Sequence, residues 1–173
     1  SYDMFCVNGI LFNHESPHRG ETFVTRKITK AVGRIYMGLQ KKLTLGNLSA
    51  SRDWGFAGDY TEGMWKMLQQ KKPKDYVIAS GKQYSVKYFV NLICDILKMK
   101  IYWKDKGINE KAYWNGKVII SIDKKYFRPT EVDSLLGDAR KARKELKWKP
   151  DYNIQSLAKD MVTQEIKNIN GKK

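Results

Sequence analysis

The sequence predicts an α/β fold, and three observations predict it. Short apolar runs of strand length alternate with longer segments whose apolar residues recur at helical spacing. The first run, Met4 to Phe12, is apolar on both faces, the pattern of a strand buried in a parallel sheet. At 173 residues and 42% hydrophobic content, the chain has material for one domain, or one lobe of a larger one, around a real core.

The elements follow in order. After the first strand and a polar loop, Phe23, Val24, Ile28, Ala31, Val32, Ile35 and Tyr36 mark a helix over Thr22 to Tyr36, with Gly38 as its stop. Leu43 to Leu45 is a short strand. Asp59 and Glu62 read as a capping pair opening a helix that runs through Met64, Met67 and Leu68 and ends before Pro73. Tyr76 to Ala79 is a strand. Ser85 caps a helix with the stripe Val86, Phe89, Val90, Ile93, Cys94 and Leu97. Strands near Ile101 to Trp103 and Val118 to Ile122 flank an Asn115-Gly116 turn. Asp138 starts a short helix, and Asn153 starts the last, with Leu157, Ala158, Met161, Val162 and Ile166 inward.

Composition narrows the function. Lys and Arg exceed Asp and Glu by 15, but the surplus is spread through every quarter of the chain. A nucleic-acid module concentrates its cations on one face, so a solvated basic surface is the better reading, one that favours small anionic ligands. No apolar run approaches the roughly 20 residues needed to span a bilayer. Two cysteines, Cys6 and Cys94, make no disulfide framework, which favours a reducing, cytoplasmic setting. Ser1 to Phe5 lacks the basic start and long apolar core of a signal peptide, which leaves the Asn47-Leu48-Ser49 sequon idle. Starting without Met on a strand-like segment, the chain reads as part of a longer product.

Some motifs match by chance. His14-Glu15-Ser16-Pro17-His18 fits the letters of a zinc-binding H-E-x-x-H, yet Pro17 would break the helix that motif requires, so no metal is expected. Tyr102/Lys106 and Tyr113/Lys117 share the Tyr-x-x-x-Lys spacing, a common coincidence in a chain rich in both residues, and neither pair falls on a helical pattern. No glycine-rich dinucleotide fingerprint or phosphate loop is present.

Three runs are specific. Asn8 to Pro17, then Leu45-Gly46-Asn47-Leu48 with Arg52-Asp53-Trp54-Gly55, then Tyr126 to Asp133 together resemble the GDP-mannose 4,6-dehydratase family in order and spacing. Gly137-Asp138 with Ala142, Leu146, Trp148 and Pro150 is similar to the closing stretch of the extended short-chain dehydrogenases. The resemblance implies the C-terminal, substrate-binding lobe of such an enzyme with part of its parallel Rossmann-type sheet. Residues 1–20 and about 73–98 would contribute to the sheet side, the rest forming the lobe, and the N-terminal NADP-binding part would be absent. It also implies conversion of GDP-D-mannose to GDP-4-keto-6-deoxy-D-mannose with bound NADP, and a dimer, a tetramer or pairing with a missing N-terminal half. The catalytic Thr, Glu, Tyr and Lys of the family have no counterpart here, so the chain alone is expected to be inactive.

By the same resemblance, Asn13 contacts the diphosphate-sugar, and His14 and Arg19 contact NADP. Val24 and Lys27 meet the guanine end, Arg52 the phosphates or ribose, Val86 the base, Arg128 the pyrophosphate and Glu131 the ribose hydroxyls. One departure from the family is His18, where a first arginine is usual before Arg19. The residue types suit the ligand: guanidinium forks pair bidentately with phosphates, and a carboxylate accepts from ribose hydroxyls. Each residue also has a plainer role, with Arg52 and Asp53 as a surface ion pair, Lys27 as a solvated helix edge, and Val24 and Val86 as core. Two other functions stay open, a non-catalytic sugar-nucleotide binder and a basic nucleic-acid-binding domain.

Overall fold

Three helices and a four-stranded sheet share the larger of two hydrophobic cores in this computed structural model, which describes residues 2–127, 130 and 132–171. The helices are α1 (Val24–Tyr36), α3 (Val86–Ile96) and α5 (Ile154–Asn170). The sheet runs in the order β3 (Leu43–Leu45), β10 (Lys117–Ile122), β9 (Lys111–Trp114) and β8 (Tyr102–Lys104). β3 is parallel to β10, and the other pairings are antiparallel. Ile28, Val32, Phe89, Val90, Leu157, Met161 and Ile120 form the centre of this core.

The caps explain why the helices start where they do. Ser85 accepts a hydrogen bond from Tyr88 N at 3.1 Å, and Asn153 accepts from Ser156 N at 2.8 Å while Ser156 Oγ takes the Asn153 N–H in return. Each bond satisfies a donor that a helix start leaves open. Expected and observed starts therefore agree for α3 and α5. α1 ends at the expected place, before Gly38, whose φ of +73° suits a residue without Cβ.

The smaller core joins a parallel pair, β1 (Gly9–Leu11) and β6 (Tyr76–Ile78), to α2 (Ala57–Leu68) and α4 (Arg140–Glu145). Tyr60, Met67, Ile78 and Trp148 fill it. The expected sheet-side segment 73–98 is thus divided, β6 lying here and α3 packing with α1 and α5. Between the cores lie β2 (Asn13–Glu15), parallel to β5 (Trp54–Phe56), and a three-stranded ladder of β4 (Ser51–Arg52) between β7 (Tyr84–Ser85) and β11 (Ser134–Leu135).

Three expectations need correction. The single strand Met4 to Phe12 is only three residues long as β1, and Ile10 is 57% exposed. Among the described residues β1 pairs with β6 alone, so its other edge has no neighbour. α2 starts at Ala57, not with an Asp59 cap: Asp59 lies inside the first turn, where its carboxylate accepts from Tyr152 N at 3.1 Å. Its inward face is Tyr60, Gly63 and Met67, and Met64, Trp65 and Leu68 face outward. The Asn115-Gly116 turn joins β10 to β9, a strand not expected from the sequence; both turn residues have positive φ, as a tight hairpin requires. Among the described residues no helix is long and apolar enough to cross a membrane.

Candidate functional site

β2 carries the first candidates. Asn13 is half-buried opposite Trp54 in the parallel register with β5, and Arg52 lies two residues before Trp54 along the chain. His14 stacks on Tyr60 at a centroid distance of 5.2 Å, and its Nδ1 lies 2.9 Å from the Phe12 carbonyl oxygen. A carbonyl only accepts, so Nδ1 carries the proton and Nε2 is left to accept from elsewhere. With His14 on a strand and His18 on the turn beyond it, the H-E-x-x-H letters do not form a helical pair.

Glu15 organises the following turn. It is buried, accepts a hydrogen bond from Thr25 Oγ1, and lies 3.3 Å from Arg19 Nε. Arg19 Nε has no aligned hydrogen-bond acceptor, so this attraction is Coulombic rather than directional. Burial pushes the Glu15 carboxyl above its usual range, and the Thr25 bond and Arg19 charge only partly oppose this. Arg19 also lies over the Phe23 ring, with Cζ 3.6 Å from its centroid. The two expected cofactor contacts therefore flank one buried carboxylate.

The first turn of α1 supplies Val24 and Lys27. Val24 packs against the larger core, and Lys27 Nζ sits 4.1 Å over the Tyr126 ring. Tyr126 is held where it is by Gly46: a Cβ there would lie 2.5 Å from the Tyr126 carbonyl oxygen, so a side chain would force the segments apart. Arg52 is half-buried on β4, opposite Tyr84 on one side and Leu135 on the other. Val86 is buried, and its N–H donates to the carbonyl of Ala50, two residues before Arg52, at 3.1 Å. Arg128 and Glu131 lie outside the described residues. The structure thus gathers Asn13, Arg52 and Val86 around the short strands between the cores, and brings Lys27 to the segment that leads into Arg128.

A cavity of about 450 Å³ is lined by none of these candidates, but by the Asn47–Ser49 segment that follows Gly46 and by Phe127, next to Tyr126. Leu48, Ile108, Ile122 and Phe127 give it apolar walls, and Asn47, Glu110 and Lys124 give it polar ones. Glu110 and Lys87, which form an ion pair, were not singled out from the sequence, although Asn47 and Leu48 lie within one of the specific runs. Asp53 belongs to the same run as Arg52. It is 1% exposed, and its carboxylate accepts from the backbone N–H groups of Ser80 and Gly81, each at 2.9 Å, and Gly137 at 3.3 Å. It ties the β4–β5 junction to the Ser80–Gly81 turn and to the Gly137 segment.

The fold defines the class: an α/β lobe that recurs as about half of larger solved chains. It superposes on RMD of Pseudomonas aeruginosa complexed with NADPH (TM-score 0.74, 18% identity), covering 93% of this chain and 48% of that one. It superposes likewise on UDP-N-acetylglucosamine 4-epimerase of Methanobrevibacter ruminantium M1 (TM-score 0.73, 17% identity, 97% of this chain and 48% of that one).

The family follows from sequence. The family model described as GDP-mannose 4,6 dehydratase matches residues 1–161, and the chain belongs to that family. It is 53% identical over 166 residues to GDP-mannose 4,6 dehydratase 1 of Arabidopsis thaliana, covering 96% of this chain and 42% of the relative. It is 50% identical over 173 residues to the GDP-mannose 4,6-dehydratase of Sinorhizobium fredii, covering 99% and 49%. The chain spans somewhat under half the length of these relatives.

Proposed function

We propose that the chain is the GDP-sugar-binding part of a GDP-mannose 4,6-dehydratase, a lyase that converts GDP-D-mannose to GDP-4-keto-6-deoxy-D-mannose. The observation that supports this reading is the placement of Asn13 on β2, Arg52 on β4 and Val86 at the start of α3, where its N–H is bonded to Ala50 just before β4, with Lys27 over the Tyr126 ring that precedes Arg128. Arg52 offers the diphosphate a planar fork, and Asn13 offers the sugar end an amide that both donates and accepts. Arg128 and Glu131 are assigned the pyrophosphate and the ribose hydroxyls.

NADP supplies the hydride chemistry of such an enzyme. This chain's fit to it is at the edge only: His14 has Nε2 free to accept, and Arg19 holds a guanidinium beside it. The dinucleotide loop and the proton-transfer groups are assigned to a polypeptide segment other than these 173 residues, so the chain by itself binds without turning over. The uncovered edge of β1 and the exposed stripe Met64, Trp65 and Leu68 fit docking of that segment or of a second copy. A cytoplasmic setting agrees with two unpaired cysteines.

Titration calorimetry tests the reading. GDP-mannose and GDP should bind with similar affinity and mannose alone should not, because the diphosphate carries most of the interaction. Absence of GDP-mannose binding, both by the chain alone and in the presence of the N-terminal half of a family member, would overturn it.

A further inference from the structure

Lys27 stands where a helix is least hospitable to a cation. It lies in the first turn of α1, which carries no acidic residue, and Phe23 at the helix start provides no side-chain cap. The partial positive charge of a helix start repels an ammonium there. Its neighbour Arg26 is paired with Glu165, but Lys27 has no carboxylate partner among the described residues. What meets its Nζ is the Tyr126 ring, 4.1 Å away at the centroid. That ring is fixed from the backbone outward. Tyr126 closes a 3₁₀ turn, Lys124–Tyr126, that follows β10. The Asp123 N–H donates to the Leu45 carbonyl at 3.0 Å, and the Tyr126 N–H to the Asp123 carbonyl at 3.1 Å. Gly46 completes the pinch, since only a residue without Cβ lets the Tyr126 carbonyl come so close. Lys125 Nζ lies 5.0 Å from the same centroid, but it is 3.7 Å from Asp123 Oδ2. Of the two ammonium groups at this ring, Lys27 is the one without an acidic partner.

We propose that Tyr126 is the positioning residue for Lys27, holding its ammonium in place before GDP arrives. This rests on the GDP-sugar reading above and adds the residue through which one of its cations is oriented. A lysine on a long flexible stem gives up rotamer freedom when it is fixed, and a partner that fixes it beforehand removes that cost from binding. A ring suits the task where a carboxylate would not. A carboxylate would cancel the charge that an anionic nucleotide is to meet, whereas the quadrupole of a phenol ring attracts the cation and leaves its net charge intact. An ammonium has three donors, so contact with a ring on one side leaves N–H groups for ligand oxygens on the other. The pinch at Gly46 bears on binding for the same reason: it sets where the ring stands, and with it the ammonium.

The test is GDP titration of the 173-residue chain and of Tyr126→Phe, Tyr126→Leu, Lys27→Met and the double variant Lys27→Met/Tyr126→Leu. NMR of the unliganded chain reads the ring-current shift of the Lys27 ε-methylene protons alongside. An accessible cation–ring contact is worth about two- to fivefold in an equilibrium constant. Tyr126→Leu should therefore weaken GDP binding by about two- to fivefold and abolish the upfield shift, while Tyr126→Phe, which keeps the ring, should preserve both. In the Lys27→Met background Tyr126→Leu should have no further effect, because the ring then has no ammonium to hold. Tyr126 is 44% exposed, so its replacement leaves both cores intact, and the shift in the unaltered chain reads the contact without any variant. An unshifted Lys27 signal, an unchanged affinity in Tyr126→Leu, or a loss that persists beside Lys27→Met would each overturn the inference and leave the GDP-sugar reading intact. Failure of the unaltered chain to bind GDP, both alone and with the N-terminal half of a family member, would overturn both.

Discussion

Arg26 on α1 and Glu165 on α5 face each other across the helix interface at 2.8 Å, with side chains only 10% and 6% exposed. Arg26 Nη1 makes no aligned hydrogen bond, so the pair is held by charge proximity. A buried pair of this kind adds little relative to apolar packing but is costly to break on one side. Glu165→Ala should lower unfolding stability by about 3 to 5 kcal/mol in urea titrations, because it leaves a buried guanidinium uncompensated. Replacing Arg26 by Met and Glu165 by Leu together should recover most of the loss.

Asp53 and Gly137 meet from 84 positions apart. Since Asp53 accepts three backbone N–H bonds in a buried setting, Asp53→Ala should cost about 3 kcal/mol or more by thermal or urea unfolding, and should also loosen the site through Arg52 beside it. Gly137→Ala should be comparably damaging for a different reason. Its Cβ would fall 2.1 Å from Ala79 Cβ, with Phe12 closing the other side, and neither neighbour has a flexible end to move.

The Glu15 carboxyl lies above its ordinary 4.5 because of burial. The folded chain thus holds that proton more tightly than the unfolded one, so the Glu15 contribution to stability falls as pH rises from 4.5 up to the folded value, then levels. Glu15→Gln should look least favourable relative to the unaltered chain near pH 4 and gain on it toward neutrality. Unfolding curves at a series of pH values measure this, and a gap that moves the opposite way would contradict the assignment.

Burial pushes the Cys94 thiol up to about 12, whereas Cys6 is exposed. One thiol per chain should react with a chromogenic disulfide reagent under native conditions, and the second only on unfolding.

At the site, Arg52→Ala should weaken GDP binding by roughly 10- to 100-fold, the equivalent of a lost charge-assisted hydrogen bond. Lys106→Ala, at an exposed turn, should leave it nearly unchanged. Calorimetric titrations of the two variants compare them directly, and equal effects would contradict the placement of the diphosphate.

What was legible in the sequence is what is encoded locally. α3 and α5 carry their own caps, Ser85 and Asn153, and β3 is three residues bounded by polar neighbours, so their limits could be read without any partner. β4, β7 and β11 were not legible, because strands of two residues exist only through pairing with each other. The buried face of α2 was not legible because its apolar residues surround the helix; Gly63 is on that face since Ile78 leaves no room for more, which no periodicity reveals. Asn13 and Arg52 were found through resemblance alone, and the β2 and β5 register sets Asn13 opposite Trp54, two residues after Arg52. Glu110 escaped notice because its partner Lys87 is 23 positions away on another element.

Among the described residues β1 has a single pairing, and this has a practical side. A strand edge with open N–H and C=O groups, beside Ile10 and Phe5 exposed to water, is a template for adventitious strand addition between molecules. Concentrated preparations should turn turbid by this route sooner than the high net charge alone would suggest, and a short lysine- or proline-bearing leader fused ahead of residue 1 is the change best placed to keep them clear.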